Sequence, residues 1–193
     1  LLHFDSLTNR SDLTWTLTGP RGTLASSTLQ SADAGSVSNP AIAAEPGDYV
    51  LTVTGTGRAT GDYGFTLFDL ATAETLPIGT TVSATHDPAN STRIYRFEGT
   101  QGAQYYLDYL GGTLTSGRWW IVNRFGTLTT ASTVGPSTDI ATVTLNADGA
   151  QYLIVEGNVS LAGTRTHEFR LVPLTGTENA LELDVPINAA IPL

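Results

Sequence analysis

The chain has 193 residues, 40% of them hydrophobic, with a net charge of −9 and no cysteine. That apolar fraction can bury a core, which excludes a disordered polymer. The acidic balance argues against nucleic acid and anionic lipid as partners, and the lack of cysteine excludes disulfides, thiolate metal sites and cysteine nucleophiles. No stretch approaches the roughly 20 apolar residues of a membrane helix, so we expect no membrane insertion.

Short alternating runs of apolar and polar residues, bounded by glycine, proline and aspartate, predict β-strands along the whole chain. In chain order, the predicted strands are 2–7, 13–18, 49–54, 63–70, 80–85, 93–98, 104–110, 118–123, 140–145, 151–156 and 167–172. Many strands spaced about ten residues apart are typical of a β-sandwich or barrel. We therefore predict an all-β fold.

The two halves of the chain share sequence blocks in the same order. Gly22-Thr23-Leu24 recurs as Gly126-Thr127-Leu128, and residues 47–55 (GDYVLTVTG) resemble residues 149–157 (GAQYLIVEG). The offset is about 104 residues throughout, the size of one β-sandwich. This spacing predicts a tandem repeat of β-sandwich units.

The phase of the repeat divides the chain into three segments. Residues 1–72 are predicted to form a first sandwich that lacks its opening strands, and residues 73–173 a second, complete one. Residues 174–193 begin a third repeat or form a donor or linker segment. A sandwich without some of its strands exposes core and edge. Either residues 174–193 complement a neighbouring copy head to tail, or the chain is a window from a longer repetitive polypeptide.

Strand alternation assigns the tryptophans to faces of the predicted sheets. Leu13, Trp15 and Leu17 share one face, and Trp119 is equivalent to Trp15 in the second repeat. Trp15 and Trp119 are therefore predicted core residues. Trp120 lies on the opposite face and is predicted to point outward, which is unusual for so large an apolar ring.

Strand and turn motifs give the chain a resemblance to a known family. The motifs that carry it are Ile78-Gly79-Thr80-Thr81-Val82-Ser83, Tyr95-Arg96-Phe97, the aromatic strand 102–109, the strand 120–126, Gly47-Asp48-Tyr49 and the closing strand 61–65. This pattern resembles the bacterial pre-peptidase C-terminal domain and related tandem repeats of large exported adhesins. The resemblance implies jelly-roll-like β-sandwiches that serve as accessory or spacer modules of secreted proteins. Some related domains bind collagen, polysaccharide or calcium, and none is itself an enzyme.

The sequence offers no convincing catalytic or cofactor site. His3 and His167 are not shared by the two repeats and are predicted to be half-exposed strand residues. Asp5 and Asp108 match between the repeats, and a turn-capping or strand-end hydrogen bond accounts for them. Aspartates in turns such as Asp62, Asp87 and Asp148 could offer oxygen ligands to calcium, but no regular Asp-x-Asp-x-Asp-Gly loop is present. We expect no enzyme activity, no resident metal and no cofactor.

The leading hypothesis is a structural repeat segment of an extracellular or cell-surface bacterial adhesin or filament, whose partners are other copies or adjoining repeats. The alternative is a module that binds polysaccharide or matrix through an aromatic platform of Trp120 and Tyr106. The binding hypothesis predicts exposed rings on one face of the second repeat. The structural hypothesis predicts that Trp120 is buried at a domain or subunit contact.

Overall fold

The computed structural model describes residues 1–34, 36–131 and 137–174. That part of the chain is all-β, with fourteen strands and one short 3-10 turn at Leu70–Thr72. The strands are β1 Leu2–Ser6, β2 Leu13–Gly19, β3 Gly22–Thr28, β4 Val50–Gly55, β5 Phe65–Asp69, β6 Glu74–Thr75, β7 Thr81–His86, β8 Thr92–Gly99, β9 Gln104–Gly112, β10 Gly117–Asn123, β11 Leu128–Ala131, β12 Ile140–Thr144, β13 Gly149–Gly157 and β14 Arg165–Pro173. Within the described residues, no helix is long and apolar enough to cross a membrane.

Strands β6 to β14 form a β-sandwich over residues 74–174, called here the C-terminal sandwich. One sheet has the strand order β11-β10-β13-β8-β6 and the other β12-β9-β14-β7. Alternate residues of both sheets point between them and form one buried core, which includes Trp119, Leu153, Phe169 and Leu171. The core is held by aromatic contacts such as Trp119 against Phe169, with ring centroids 5.0 Å apart.

Strands β1 to β5 form two smaller sheets over residues 1–72, called here the N-terminal unit. The first sheet pairs β1 with β5, and the second has the order β3-β2-β4. Phe4, Trp15 and Leu17 are buried between these sheets. The Phe4 and Trp15 rings stack with centroids 3.8 Å apart.

The N-terminal unit packs on the outer face of the five-stranded sheet of the C-terminal sandwich. Trp120, Val122 and Ile154 of that face form a third buried cluster with Ala34 and Leu70 of the N-terminal unit. The β1-β5 sheet therefore lies between the β3-β2-β4 sheet and the five-stranded sheet of the C-terminal sandwich. The result is a stack of four β layers, with an apolar cluster in each of the three interlayers.

The two parts share strand order and register. The order β3-β2-β4 parallels β11-β10-β13, and β1-β5 parallels β9-β14. Trp15 pairs with Val53 as Trp119 pairs with Val155. The N-terminal unit has no strand in the positions that β6, β7 and β8 occupy in the C-terminal sandwich, as far as the described residues go.

All eleven predicted strands overlap strands of the structure, and the predicted core positions of Trp15 and Trp119 are confirmed. Strands β3, β6 and β11 were not predicted. The β3 sequence, Gly22–Thr28, is rich in serine and weakly apolar, and β6 has two residues only, paired in parallel with β8. The hypothesis that residues 174–193 act as a donor falls on residues 175–193, outside the described part.

Candidate functional site

The structure does not bring the two predicted ligand-contact residues together. Trp120 lies on β10 and points away from the sandwich core, while Tyr106 lies on β9, in the other sheet. Neighbouring Tyr105 and Leu107 fill the sandwich core, so Tyr106 points to the opposite outer face of the sandwich. A single aromatic platform built from both rings is therefore not formed.

Trp120 is fully buried between the N-terminal unit and the C-terminal sandwich. The Arg118 guanidinium lies 5.6 Å from the centroid of the Trp120 ring, a cation–π arrangement. The same guanidinium donates a hydrogen bond of 2.9 Å to the carbonyl oxygen of Val37. Arg118 and Trp120 thus join the two parts, and the Trp120 ring is not available to a soluble ligand.

Tyr106 is half-buried and bonded to its own sandwich. Its hydroxyl donates to Asp139 Oδ2 at 2.5 Å, and the other Asp139 oxygen accepts from the Tyr109 N–H at 2.8 Å. The hydrogen bond to Asp139 raises the pKa of Tyr106 to about 12. Tyr106 anchors the segment around residue 139 to β9.

A group of polar side chains is buried where the β1-β5 sheet meets the five-stranded sheet. This interlayer polar cluster consists of His3, Asp5, Asp33, Thr92 and Glu156, and each is at most 5% exposed. Thr92 connects its members: its backbone N–H donates to Asp5 Oδ2 at 3.1 Å, and its hydroxyl lies 3.4 Å from His3 Nε2. His3 Nε2 is 4.0 Å from Glu156 Oε2.

The hydrogen bonds of His3 fix one neutral form of its ring. Nδ1 lies 3.0 Å from the Pro40 carbonyl oxygen, which can only accept, so Nδ1 carries the proton. Nε2 then accepts from the Thr92 hydroxyl. Burial lowers the pKa of His3 to about 4, which agrees with a neutral ring at physiological pH.

Burial acts in the opposite direction on the carboxyl groups. It raises the pKa of Asp5 to about 7, although the hydrogen bond from the Thr92 backbone N–H opposes the change. It raises the pKa of Glu156 well above its usual range, and the charges of Asp5 and Asp33 add to the effect. The backbone N–H of Ala34 and the positive charge of Arg118 oppose this increase. Burial at this position therefore favours the neutral, protonated form of Glu156.

The interlayer polar cluster can exchange protons but cannot bind a substrate from solution, because its side chains are covered by both parts of the molecule. The described residues contain no group of three or more histidine, aspartate or glutamate side chains arranged to hold a metal ion. The chemistry that this arrangement supports is the gain or loss of protons by side chains at the contact between the two layers.

A second polar chain lies inside the C-terminal sandwich. The Tyr95 hydroxyl is 3.3 Å from His167 Nε2, His167 Nδ1 is 2.8 Å from His86 Nε2, and His86 Nδ1 is 2.6 Å from the Ser91 carbonyl oxygen. Because the Ser91 carbonyl oxygen can only accept, His86 donates to it. His167 then donates to His86, and the Tyr95 hydroxyl donates to His167. Burial lowers the pKa of His167 to about 3, and also lowers that of His86. Every nitrogen of the two rings is satisfied in the neutral form.

The interpretation of His3 and His167 as half-exposed residues was wrong, since they are only 2% and 1% exposed. The reason is layering: His3 faces the five-stranded sheet of the C-terminal sandwich, and His167 faces the sandwich interior. Asp5 and Asp108 also differ from each other. Asp5 is buried in the interlayer polar cluster, whereas Asp108 forms a partly exposed ion pair with Arg170 at 2.7 Å.

Sequence reasoning missed Glu156 altogether. It follows the buried run Tyr152–Val155 in β13, where a charged residue is out of place. An ionisable residue at the end of such an apolar run was the signal in the sequence that could have identified Glu156. Its partners Asp5 and Asp33 come from distant segments, so their meeting could not be foreseen from spacing.

No family model matches the chain, and the comparison with curated proteins finds no match. Among solved structures, the chain is similar to the crystal structure of Aeromonas hydrophila PliG, a periplasmic lysozyme inhibitor of g-type lysozyme. The sequence identity is 9% and the TM-score 0.39, and the match covers 51% of this chain and 96% of that one. These values are too low to transfer a function.

Proposed function

We propose that this chain is a non-catalytic structural segment of an extracellular bacterial adhesin or surface filament, in which related β units are stacked in series. The observation that carries the proposal is the apolar contact between the N-terminal unit and the C-terminal sandwich, with Trp120 fully buried at its centre. A flexible pair of modules would leave this face wet. A buried contact of this kind would make the two parts one load-bearing body.

The shared strand order and register support the proposal that the two parts are repeats. Trp15 with Val53 and Trp119 with Val155 are equivalent pairs at the spacing of the sequence repeat. When units of the same fold pack the face of one against the outer face of the next, further units can be added along the chain. Each unit then contacts only the unit before it and the unit after it. The absence of cysteine is in keeping with an exported bacterial protein.

The alternative of a carbohydrate- or matrix-binding module loses the feature that suggested it. Trp120 is 0% exposed, and Tyr106 lies in the other sheet with its hydroxyl bonded to Asp139. Sugar stacking needs an accessible ring face, and the Trp120 ring offers none.

Single-molecule pulling from both ends of the chain tests the proposal. For the wild-type chain we expect the N-terminal unit and the C-terminal sandwich to resist force together and to unfold in one main event. Trp120→Ala removes the ring at the contact at a cost of about 3–5 kcal/mol, so the N-terminal unit should come away first at clearly lower force. Phe125→Ala is the matched control, since this aromatic ring is 63% exposed.

Two results would contradict the proposal. One is early separation of the wild-type parts at low force, which would show that the contact does not bear load. The other is a Trp120→Ala chain that unfolds like the Phe125→Ala chain.

A further inference from the structure

The inner face of the N-terminal unit is open where the same face of the C-terminal sandwich is closed. Leu67 of β5 is 39% exposed, whereas Leu171, in the equivalent register position of β14, is fully buried. Val53 of β4 is half-buried, and its counterpart Val155 of β13 is fully buried. These inward-facing side chains are apolar in both parts. Their exposure differs because neighbouring strands cover them in the C-terminal sandwich, and not because the residue types differ.

The cover in the C-terminal sandwich comes from two strands. β13 lies between β10 and β8, and β14 lies between β9 and β7. β8 contributes Tyr95 and Phe97 to the core, and β7 contributes Val82 at its margin. In the N-terminal unit, β4 and β5 each end their sheet among the described strands.

The open edge of β4 is suited to pairing with another strand. Its sequence, Val50–Gly55, contains no charged residue and no proline, the devices that usually protect an exposed edge. Val50 is 64% exposed. Extended, uncharged backbone with half-buried apolar side chains is the surface to which a further strand adds by main-chain hydrogen bonds.

We propose that the N-terminal unit is the acceptor for a two-strand segment of the β7–β8 type, supplied by an adjoining unit of the same kind. One strand of this segment, with small apolar residues at the positions of Val82 and Ala84, pairs with β5. The other, with aromatic residues at the positions of Tyr95 and Phe97, pairs with β4 and closes the core. The inference rests on the proposed repeat relation between the two parts.

The pairing register of β8 and β7 in the C-terminal sandwich shows which side chains the added segment would need. Tyr95 pairs with Leu153, the counterpart of Leu51, and Val82 pairs with Phe169, the counterpart of Phe65. A segment with this alternation places apolar side chains against the exposed inner positions and polar ones towards solvent. A single edge-to-edge strand from a second copy would cover β4 or β5, but not both.

The test uses a fluorescent synthetic peptide with the sequence of residues 81–99, titrated with the full chain and followed by anisotropy. We expect saturable binding. A control peptide that carries Tyr95→Asp and Phe97→Asp should bind at least tenfold more weakly, because it cannot bury its inner face. A third peptide with the sequence of residues 174–193 probes a donor from the end of a second copy.

Two acceptor variants locate the site. Val53→Arg places a charge on the inner face of β4 and should abolish binding, whereas Thr52→Arg changes an exposed neighbour on the outer face and should preserve it. No preference for the wild-type peptide over its control, or stronger binding of the 174–193 peptide, would overturn the proposal. The pulling experiment reports on the Trp120 contact and does not depend on these edges, so the two proposals fail separately.

Discussion

The N-terminal unit and the C-terminal sandwich share strand order and register but differ in how far they close a core. Leu171 and Phe169 are fully buried in the sandwich, while Leu67 is 39% exposed and Phe65 half-buried in the N-terminal unit. Strands with the same alternation therefore reach different burial, according to whether β7 and β8 are present beside them. Side-chain burial in a sandwich depends on the number of strands as well as on the local pattern.

The N-terminal unit is stabilised from its other side. Its β1-β5 sheet is covered by the five-stranded sheet of the sandwich, and Leu70, Phe68 and Leu1 pack against Trp120 and its neighbours. The outer face of the complete C-terminal sandwich thus packs against the incomplete N-terminal unit and stabilises it.

The largest expected effect comes from one matched pair of substitutions. Leu171→Ala empties a buried site and should lower the free energy of unfolding by about 2–5 kcal/mol. Leu67→Ala, at the equivalent position, should cost only about 1 kcal/mol, because this side chain is already 39% exposed. Denaturant unfolding of both variants provides the measurement. Equal costs would mean that the N-terminal unit is as closed as the sandwich.

The interlayer polar cluster makes the contact between the two parts sensitive to pH. The folded-state pKa of Asp5, about 7, is above its usual 3.8, so its contribution to stability is fully present below about pH 4 and is lost as the pH rises through about 7. A shift from 3.8 to about 7 corresponds to a loss of roughly 4 kcal/mol of stability between pH 4 and pH 8, and Asp5→Asn should remove most of this fall. Thermal unfolding between pH 4 and pH 8 tests it. Asp108→Asn is the control, since Asp108 forms a partly exposed ion pair with Arg170. Parallel pH profiles of wild type and Asp5→Asn would refute this account of the cluster.

The smallest expected effect concerns the polar chain in the sandwich core. Tyr95→Phe removes the hydroxyl that donates to His167 and should cost about 1 kcal/mol. The pKa of His167 is held at about 3, so the histidine chain favours the folded state above pH 6.5 and loses this contribution as the pH falls. Chemical denaturation at pH 7 measures the Tyr95→Phe cost. A cost above about 3 kcal/mol would show that the network is rearranged and not merely shortened.

Alternation and turn residues were sufficient to predict the all-β class, the main strands and the core positions of Trp15 and Trp119. They were not sufficient to predict layering. Trp120 was correctly assigned to the opposite face, but nothing local indicates what covers that face. Asp5 and Glu156 likewise meet only because two sheets from distant parts of the chain are stacked, and stacking is a property of the whole fold.

Hydrogen–deuterium exchange of the full chain tests the central claim most directly, because it compares equivalent strands in one molecule. We expect the edge-facing amides of β4 and β5 to exchange rapidly, and those of β13 and β14, which pair with β8 and β7, to be strongly protected. Amides of β1 should be protected as well, since that strand is covered on both faces. Equal, strong protection of β4 and β13 would contradict an open acceptor edge in the N-terminal unit.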